Sequence, residues 1–421
     1  MDIMITLLRH YVQARYPKFK SREQVEDWQQ NRLQRHLNWV CDNSPLYSPL
    51  KGLPLDAFPV INKSFMMENL SKINTERLKG EDLMSQALEA ESSRQFNQSK
   101  VGNITVGLSS GTSGQRGLFL ANNHERQMWA GNILGKLLPN VWQKHRIALA
   151  LRANSPLYST INRGPIKFYF ADLMKPTDEW IKELDEFQPT LLVGSAQALQ
   201  LCAEFSGTFG LPAMNPQRII SGAEVLTPSD RAFIENRFNA DLHEVYQCTE
   251  GFLGCTDSNG QMRWNQDIVY IEKHWLNKEK THYSPIITDF RRRTQPVIRY
   301  QLDDIIEAKE DEGIFEPIGA IAGRSGDKLL LPRNSMPTPV LPDLIYRAVT
   351  LNCCERVDYR ITQSARSEVT IECDSKWHEA ICNSLKQLFL TLQLDEVNFK
   401  FGAPPDWTPL NKQRRVVNQY V

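Results

Sequence analysis

At 421 residues the chain exceeds what one hydrophobic core usually serves, which predicts a large domain joined to a smaller one. Lys+Arg and Asp+Glu balance at 49 each, so the chain lacks the basic excess that a nucleic-acid partner requires. The longest apolar runs, IALAL and TLLVG, fall far short of the roughly 20 residues of a membrane span.

The N-terminal stretch MDIMITLLRHYVQARYPKFK has an acid at position 2 and no small-residue cleavage site, and does not read as a signal peptide. Eight Cys without a CxxC pair fit reduced thiols, so a soluble cytoplasmic chain is expected. In SREQVEDWQQNRLQRHLNWVCDNSP, Ser21 and Gln24 have the spacing of a capping box. Val25, Trp28, Leu33, Leu37 and Val40 repeat with helical period, predicting a packing helix that ends before Pro45. Pro-punctuated loop follows, then polar helix to about residue 100.

Between two apolar runs, VGLSSGTSGQRGLF places seven Gly, Ser and Thr residues in the nine positions 109–117. The loop lacks the GxxxxGK pattern of a Walker-type phosphate loop. It is compatible with an ordinary turn. It is equally compatible with a phosphate clamp in which backbone N–H groups and the hydroxyls of Ser109, Ser110, Thr112 and Ser113 donate, and Gly111 and Gly114 allow close approach.

From residue 145 strand and helix alternate. HRIALAL and IKFYFA read as strands, and TDEWIKELDEF as a helix capped by Thr177. PTLLVG, QRIISG and ADLHEVYQ read as further strands. SAQALQLCAEF is a helix started by Ser195, and TPSDRAFIENRF a helix with Thr227 at its cap and Pro228 in its first turn. This alternation predicts an α/β fold with a doubly wound, mostly parallel sheet, whose ligands collect beyond the carboxyl ends of the strands. Polar clusters fall at three such ends: Gly194 and Ser195, Ser221 to Glu224, and Cys248 to Glu250. Beyond residue 260 the segments DIVYIEKHW, SPIITDF, PVIRYQLDDIIEAKE and GIFEPIGAIAGR predict a β-rich subdomain. Residues 1–323 are thus expected to form the large N-terminal domain, and 324–421 a small α+β unit. Cys248 and Cys255 lack two further well-spaced partners, so no zinc site is expected.

The segments SSGTSGQRG, SGAEVLTPSD, YQCTEGFLG, PVIRYQLDDI, GRSGDKLLL and NKQRRVV resemble, in order and rough spacing, the core motifs of the ANL adenylate-forming enzymes. Within that superfamily the chain looks most like the phenylacetate–CoA ligase and coenzyme F390 synthetase branch, over nearly its whole length. The resemblance implies activation of an aryl or acyl carboxylic acid on ATP, with Mg2+, release of pyrophosphate, and transfer to a thiol, foremost that of coenzyme A. A carrier protein or an amine is the other acceptor.

By the same resemblance Glu250 holds Mg2+ and Thr249 contacts the phosphates, while Ser221, Gly222, Ala223 and Glu224 flank the adenine with Tyr246 as a stacking face. Asp304 and Arg324 contact the ribose, and Lys412 brings a cation to the α-phosphate. The acid is expected near Gly194, Ser195 and Ala196 and in the region after Phe119. Asp303 and Asn411 stand where the family usually has Gly, and Gly326 where it has an acid, followed by Asp327. Two other classes fit the residues: a nucleotide-binding pseudoenzyme acting as scaffold, and a kinase or ATPase using the same loop.

Overall fold

The computed structural model describes residues 2–109, 116–138, 140, 143–152, 154, 162, 164–324, 326–352, 357–406 and 414–420. Helices α1 (Asp2–Arg15) and α2 (Arg22–Asn43) open the chain. The Ser21 hydroxyl caps α2 by accepting from Gln24 N, while the Gln24 side chain accepts from Lys20 N, so the box is displaced by one residue. Where a single polar helix is predicted, three shorter helices follow: α3 (Lys63–Glu68), α4 (Leu70–Ile73) and α5 (Gly80–Ser93). A three-stranded antiparallel sheet, β1 (Lys100–Val101), β2 (Ile104–Leu108) and β3 (Leu118–Ala121), carries the Gly/Ser-rich loop as its second hairpin connection.

Helix α6 (Asn123–Leu137) has a full capping box made by Asn122 and Glu125. It lies tightly against α1. A Cβ on Gly131 would meet Leu7 O at 2.5 Å, and one on Gly135 would meet Tyr11 O at 2.7 Å, so only glycine admits this approach.

The main sheet has seven strands: β4 (His145–Leu151), β5 (Ile166–Asp172), β6 (Leu191–Gly194), β7 (Arg218–Gly222), β8 (Leu242–Cys248), β9 (Gly251–Thr256) and β10 (Met262–Trp264). Their spatial order is β10-β9-β8-β7-β6-β4-β5, parallel from β8 to β5, with β9 and β10 added antiparallel. After β5 the chain crosses back over β4 to β6, so the switch of direction falls between β4 and β6.

Helices α7 (Thr177–Phe187), α8 (Ala196–Phe205) and α9 (Pro228–Phe238) connect these strands. They bury Trp180, Leu184, Leu199 and Ile234 on one face, against Ala148, Leu192 and Ile219. The other face, through Ile147, Leu191 and Ile220, packs on α1, α2, α6 and the next sheet. Both faces are covered, which is why the strands read as continuous apolar runs. Thr227 caps α9 as predicted, whereas Pro176 occupies the cap of α7 and Thr177 is its first helical residue.

A five-stranded sheet follows: β11 (Val269–Trp275), β12 (His282–Asp289), β13 (Tyr300–Gln301), β14 (Asp304–Glu307) and β15 (Ile321–Arg324). The remainder comprises a hairpin, β16 (Leu329–Arg333) and β17 (Met336–Val340), then α10 (Pro342–Asn352), β18 (Tyr359–Ala365), β19 (Glu368–Cys373), α11 (His378–Thr391), β20 (Asn398–Gly402) and β21 (Val416–Asn418). These elements share a core of their own, including Leu331, Ile345, Ile361, Ile371 and Leu385. Among the described residues no helix is long and apolar enough to cross a membrane.

Candidate functional site

A cavity of about 1730 Å³ opens at the carboxyl ends of β4, β7 and β8 and extends to β14, β15 and α10. Single-ligand pockets commonly measure roughly 300–1,000 Å³, so there is room here for more than one molecule.

At the end of β7, Gly222 lies so near β8 that a Cβ would meet Val245 Cγ2 at 2.8 Å, and Ala223 takes a left-handed conformation at φ +67. This bend turns Glu224 inward. Its carboxylate accepts from Arg152 Nη2 at 2.9 Å and from Gln197 N at 3.2 Å, and the two charged side chains are 4% and 17% exposed. Arg152, just past β4, is held in turn: its carbonyl accepts from Arg94 Nη2 at 2.8 Å, and Arg94 also pairs with Asp172.

One strand over, Thr249 and Glu250 form the two-residue turn of the β8–β9 hairpin, whose ends pair Cys248 with Gly251. Glu250 Oε1 accepts from the Tyr300 hydroxyl at 2.8 Å, and Oε2 from Thr249 Oγ1 at 2.9 Å. Arg292 Nη1 donates to Thr249 O at 2.9 Å and fixes the turn from behind. Burial, reinforced by the Glu250 charge and hydrogen bond, pushes the Tyr300 phenol far up, so it stays a donor. Among the described residues no cation lies within ion-pair distance of the Glu250 carboxylate. Each of its oxygens keeps a lone pair free of these two bonds, a fit to a hard cation that takes oxygen ligands.

Asp304 pairs across β14–β15 with Arg324, Oδ1 lying 3.6 Å from Arg324 Nε, and its Oδ2 accepts from the Tyr246 hydroxyl at 2.5 Å. Burial, followed by the Asp304 charge, raises the Tyr246 phenol well above its usual range. The Tyr246 ring is only 8% exposed and tilts against Trp264 at 5.7 Å, so it offers the cavity little stacking face; its hydroxyl positions Asp304 instead.

Asp289 also lines the cavity. Burial pushes its carboxyl up to about 6 against the opposing pull of Arg292 and Arg291.

Ser109 closes the neck of the Gly/Ser-rich loop: its N donates to Gly117 O at 2.8 Å, and its Oγ accepts from Gly117 N at 2.7 Å. Ser110, Gly111, Thr112, Ser113, Gly114 and Lys412 lie outside the described residues. The last of these stands two residues before Arg414, which lines the cavity and pairs with Asp327.

The structure thus brings Ser109, Ser221, Gly222, Ala223, Glu224, Tyr246, Thr249, Glu250, Asp304 and Arg324 to one cavity. Gly194, Ser195 and Ala196 are absent from its wall. Ser195 is fully buried and its hydroxyl is taken up as the N-cap of α8, accepting from Ala198 N. Phe119, Met128, Trp129 and Asn132, in the region after the loop, line the cavity instead. Sequence reasoning left Arg152, Tyr300 and Asp289 unassigned. Arg152 carried a usable signal, because it follows strand β4 as the three polar clusters follow theirs.

A mostly parallel sheet with a cavity at the carboxyl ends of its strands is the place where doubly wound α/β folds gather ligands. No family model matches the chain. Among curated proteins it is 24% identical to Protein CapK of Staphylococcus aureus over 341 residues, 73% of this chain and 69% of that protein. Its solved structural neighbours are acyl-CoA and other adenylate-forming ligases. A 2-hydroxyisobutyryl-CoA ligase in the postadenylation state superposes with a TM-score of 0.65 at 17% identity, covering 96% of this chain and 94% of that one. The amide bond synthetase McbA from Marinactinospora thermotolerans superposes with a TM-score of 0.54 at 11% identity, covering 74% and 67%. At these identities the likeness is one of fold.

Proposed function

We propose that the chain is an ATP- and Mg2+-dependent ligase of the ANL type, near the phenylacetate–CoA ligase branch, which activates an aryl or acyl carboxylic acid as its adenylate and passes it to the thiol of coenzyme A. The observation that carries this reading is the convergence of Glu250, Asp304 and Arg324, from three separate motifs, on a single cavity at the carboxyl ends of the parallel strands. The ligase bound to its acyl-adenylate supports it through the shared fold.

In this reading a carboxylate oxygen of the acid attacks the α-phosphorus of ATP; the new O–P bond forms as the bond to pyrophosphate breaks, and the electron pair leaves with pyrophosphate. Thiol sulfur then attacks the acyl carbon as the acyl C–O bond to the phosphate breaks; AMP leaves with the electron pair and the thiol proton passes to solvent. Asp304 and Arg324 hold the ribose, and Ser221 to Glu224 border the adenine. The loop from Ser109 to Gly114 wraps the phosphates. Phe119, Met128, Trp129 and Asn132 take the acid. Glu250 would hold Mg2+, which when bound neutralises charge on the triphosphate, and Thr249 contacts the phosphates. Lys412 meets the charge that gathers on the α-phosphate oxygens in the transition state. The segment 324–421 acts as the lid, closing for the first step and rotating for the second.

Acid-dependent exchange of labelled pyrophosphate into ATP, run over a panel of carboxylic acids with Mg2+, tests the reading. Exchange supports adenylation; ADP or phosphate release assigns a kinase or ATPase, and silence across the panel a scaffold. The amide bond synthetase among the neighbours favours, as a second reading, an amine acceptor, which adding amines in place of coenzyme A distinguishes.

A further inference from the structure

Helix α1 is apolar on two sides. Tyr11 and Ala14 are buried on the side that meets α6. On the opposite side Ile5, Leu8, Val12 and Tyr16, spaced three, four and four residues apart, form one stripe and are 57%, 46%, 46% and 67% exposed. An unpartnered stripe of this kind on a surface helix marks an interaction face.

Charge identifies what it meets. The chain as a whole is neutral, yet residues 2–20 carry Arg9, Arg15, Lys18 and Lys20 against the single acid Asp2. Arg9, Lys18 and Lys20 are exposed around the stripe. The positive field continues inward from Arg9: the charges acting on Arg32 are those of Arg291, Arg293, Arg35 and Arg9, all cations. Burial, then the charges of Arg291, His124, Arg9 and Arg32, pushes His10 down to about 3.

We infer that this face of α1 docks on an anionic lipid surface, with Ile5, Leu8, Val12 and Tyr16 entering the headgroup boundary and Arg9, Lys18 and Lys20 meeting lipid phosphates. An apolar stripe edged by cations is the pattern of a helix lying in the membrane interface. A second copy of the chain is the poorer occupant. Four side chains cover well under the ~800 Å² per partner of a standard interface, and antiparallel pairing centred on the stripe would set Arg9 near its own counterpart.

The full-length protein is sedimented with vesicles of phosphatidylcholine alone and of phosphatidylcholine mixed with phosphatidylglycerol. Binding to the mixed vesicles is expected to be ~tenfold or more tighter than to the neutral ones, and to weaken as salt is raised. Leu8→Asp with Val12→Asp should cost ~tenfold or more in that binding while leaving the thermal midpoint and pyrophosphate exchange unchanged, because both residues face outward. Absence of binding to the mixed vesicles, or binding that survives the double substitution, overturns the assignment. So does concentration-dependent dimerisation in sedimentation velocity that Leu8→Asp abolishes, which would give the face to a second copy. The vesicle result is independent of the exchange assay, so either reading can fail alone.

Discussion

Neighbouring strands β7 and β8 each end in a turn that presents a glutamate to the cavity, and the two glutamates have opposite surroundings. Glu224 is buried against the Arg152 guanidinium and its charge is already balanced, whereas Glu250 accepts from the hydroxyls of Thr249 and Tyr300 and has no cation within ion-pair distance among the described residues. Both arrangements satisfy hydrogen bonds. Only the second leaves a carboxylate whose charge awaits a cation from outside the described residues. Equivalent positions in a sheet therefore differ through their neighbours: one carboxylate braces the cavity wall, and the other is the one proposed above to hold the metal.

The largest effect is expected at Lys412, the cation proposed to meet the α-phosphate. Lys412→Ala should lower pyrophosphate exchange by ~10³-fold, with little change in the thermal midpoint. Unchanged exchange would remove Lys412 from the chemistry. Glu250→Gln should lower exchange by ~10²-fold or more and raise the Mg2+ concentration needed for half-maximal rate, again with the fold intact. If exchange survives within a few-fold, the contrast between the two glutamates has no catalytic meaning.

Arg152→Met probes the other side of the comparison. It strands the Glu224 charge in the interior and should cost roughly 3 to 4 kcal/mol in urea unfolding, most of which Glu224→Gln in the same chain restores. A cost near zero would show that the pair does not brace the wall.

The smallest effect concerns Asp289, buried like Glu224 but accepting from the backbone N–H of Arg291. Burial pushes its carboxyl up to about 6 from the ordinary 3.8, so the folded state holds the proton more tightly. Its contribution is fully present below about pH 4 and is lost as pH rises through about 6, by about 2 to 3 kcal/mol. Asp289→Asn should flatten urea stability between pH 4.5 and 7.5; an unaltered slope would assign the pH dependence elsewhere.

The strands of the main sheet were legible because burial on both faces writes them as unbroken apolar runs, with Ser195 and Thr227 marking the following helices. Helix α1 was not, because outward Ile5, Leu8 and Val12 and inward Tyr11 and Ala14 together blur its period. Strand β17 hid behind Pro337 and Pro339, which a two-stranded edge tolerates, and its hairpin turns through left-handed Asn334 and Ser335. In the cavity, Glu250, Asp304 and Arg324 each sit in a multi-residue motif. Arg152 offered only its place after β4, since its partner Glu224 lies 72 residues away. The strand-end rule overreached at Ser195, whose hydroxyl the helix claims first.

The two glycines of α6 reach beyond packing. Gly131 and Gly135 set how near α1 can come, and Asn132, the very next residue after the first of them, faces the chamber assigned to the acid. A bulkier residue at 131 would lever the helix away from its neighbour and swing that chamber's wall with it. The choice of acid would then register a substitution made in the buried seam between α1 and α6, at a residue that does not itself line the chamber.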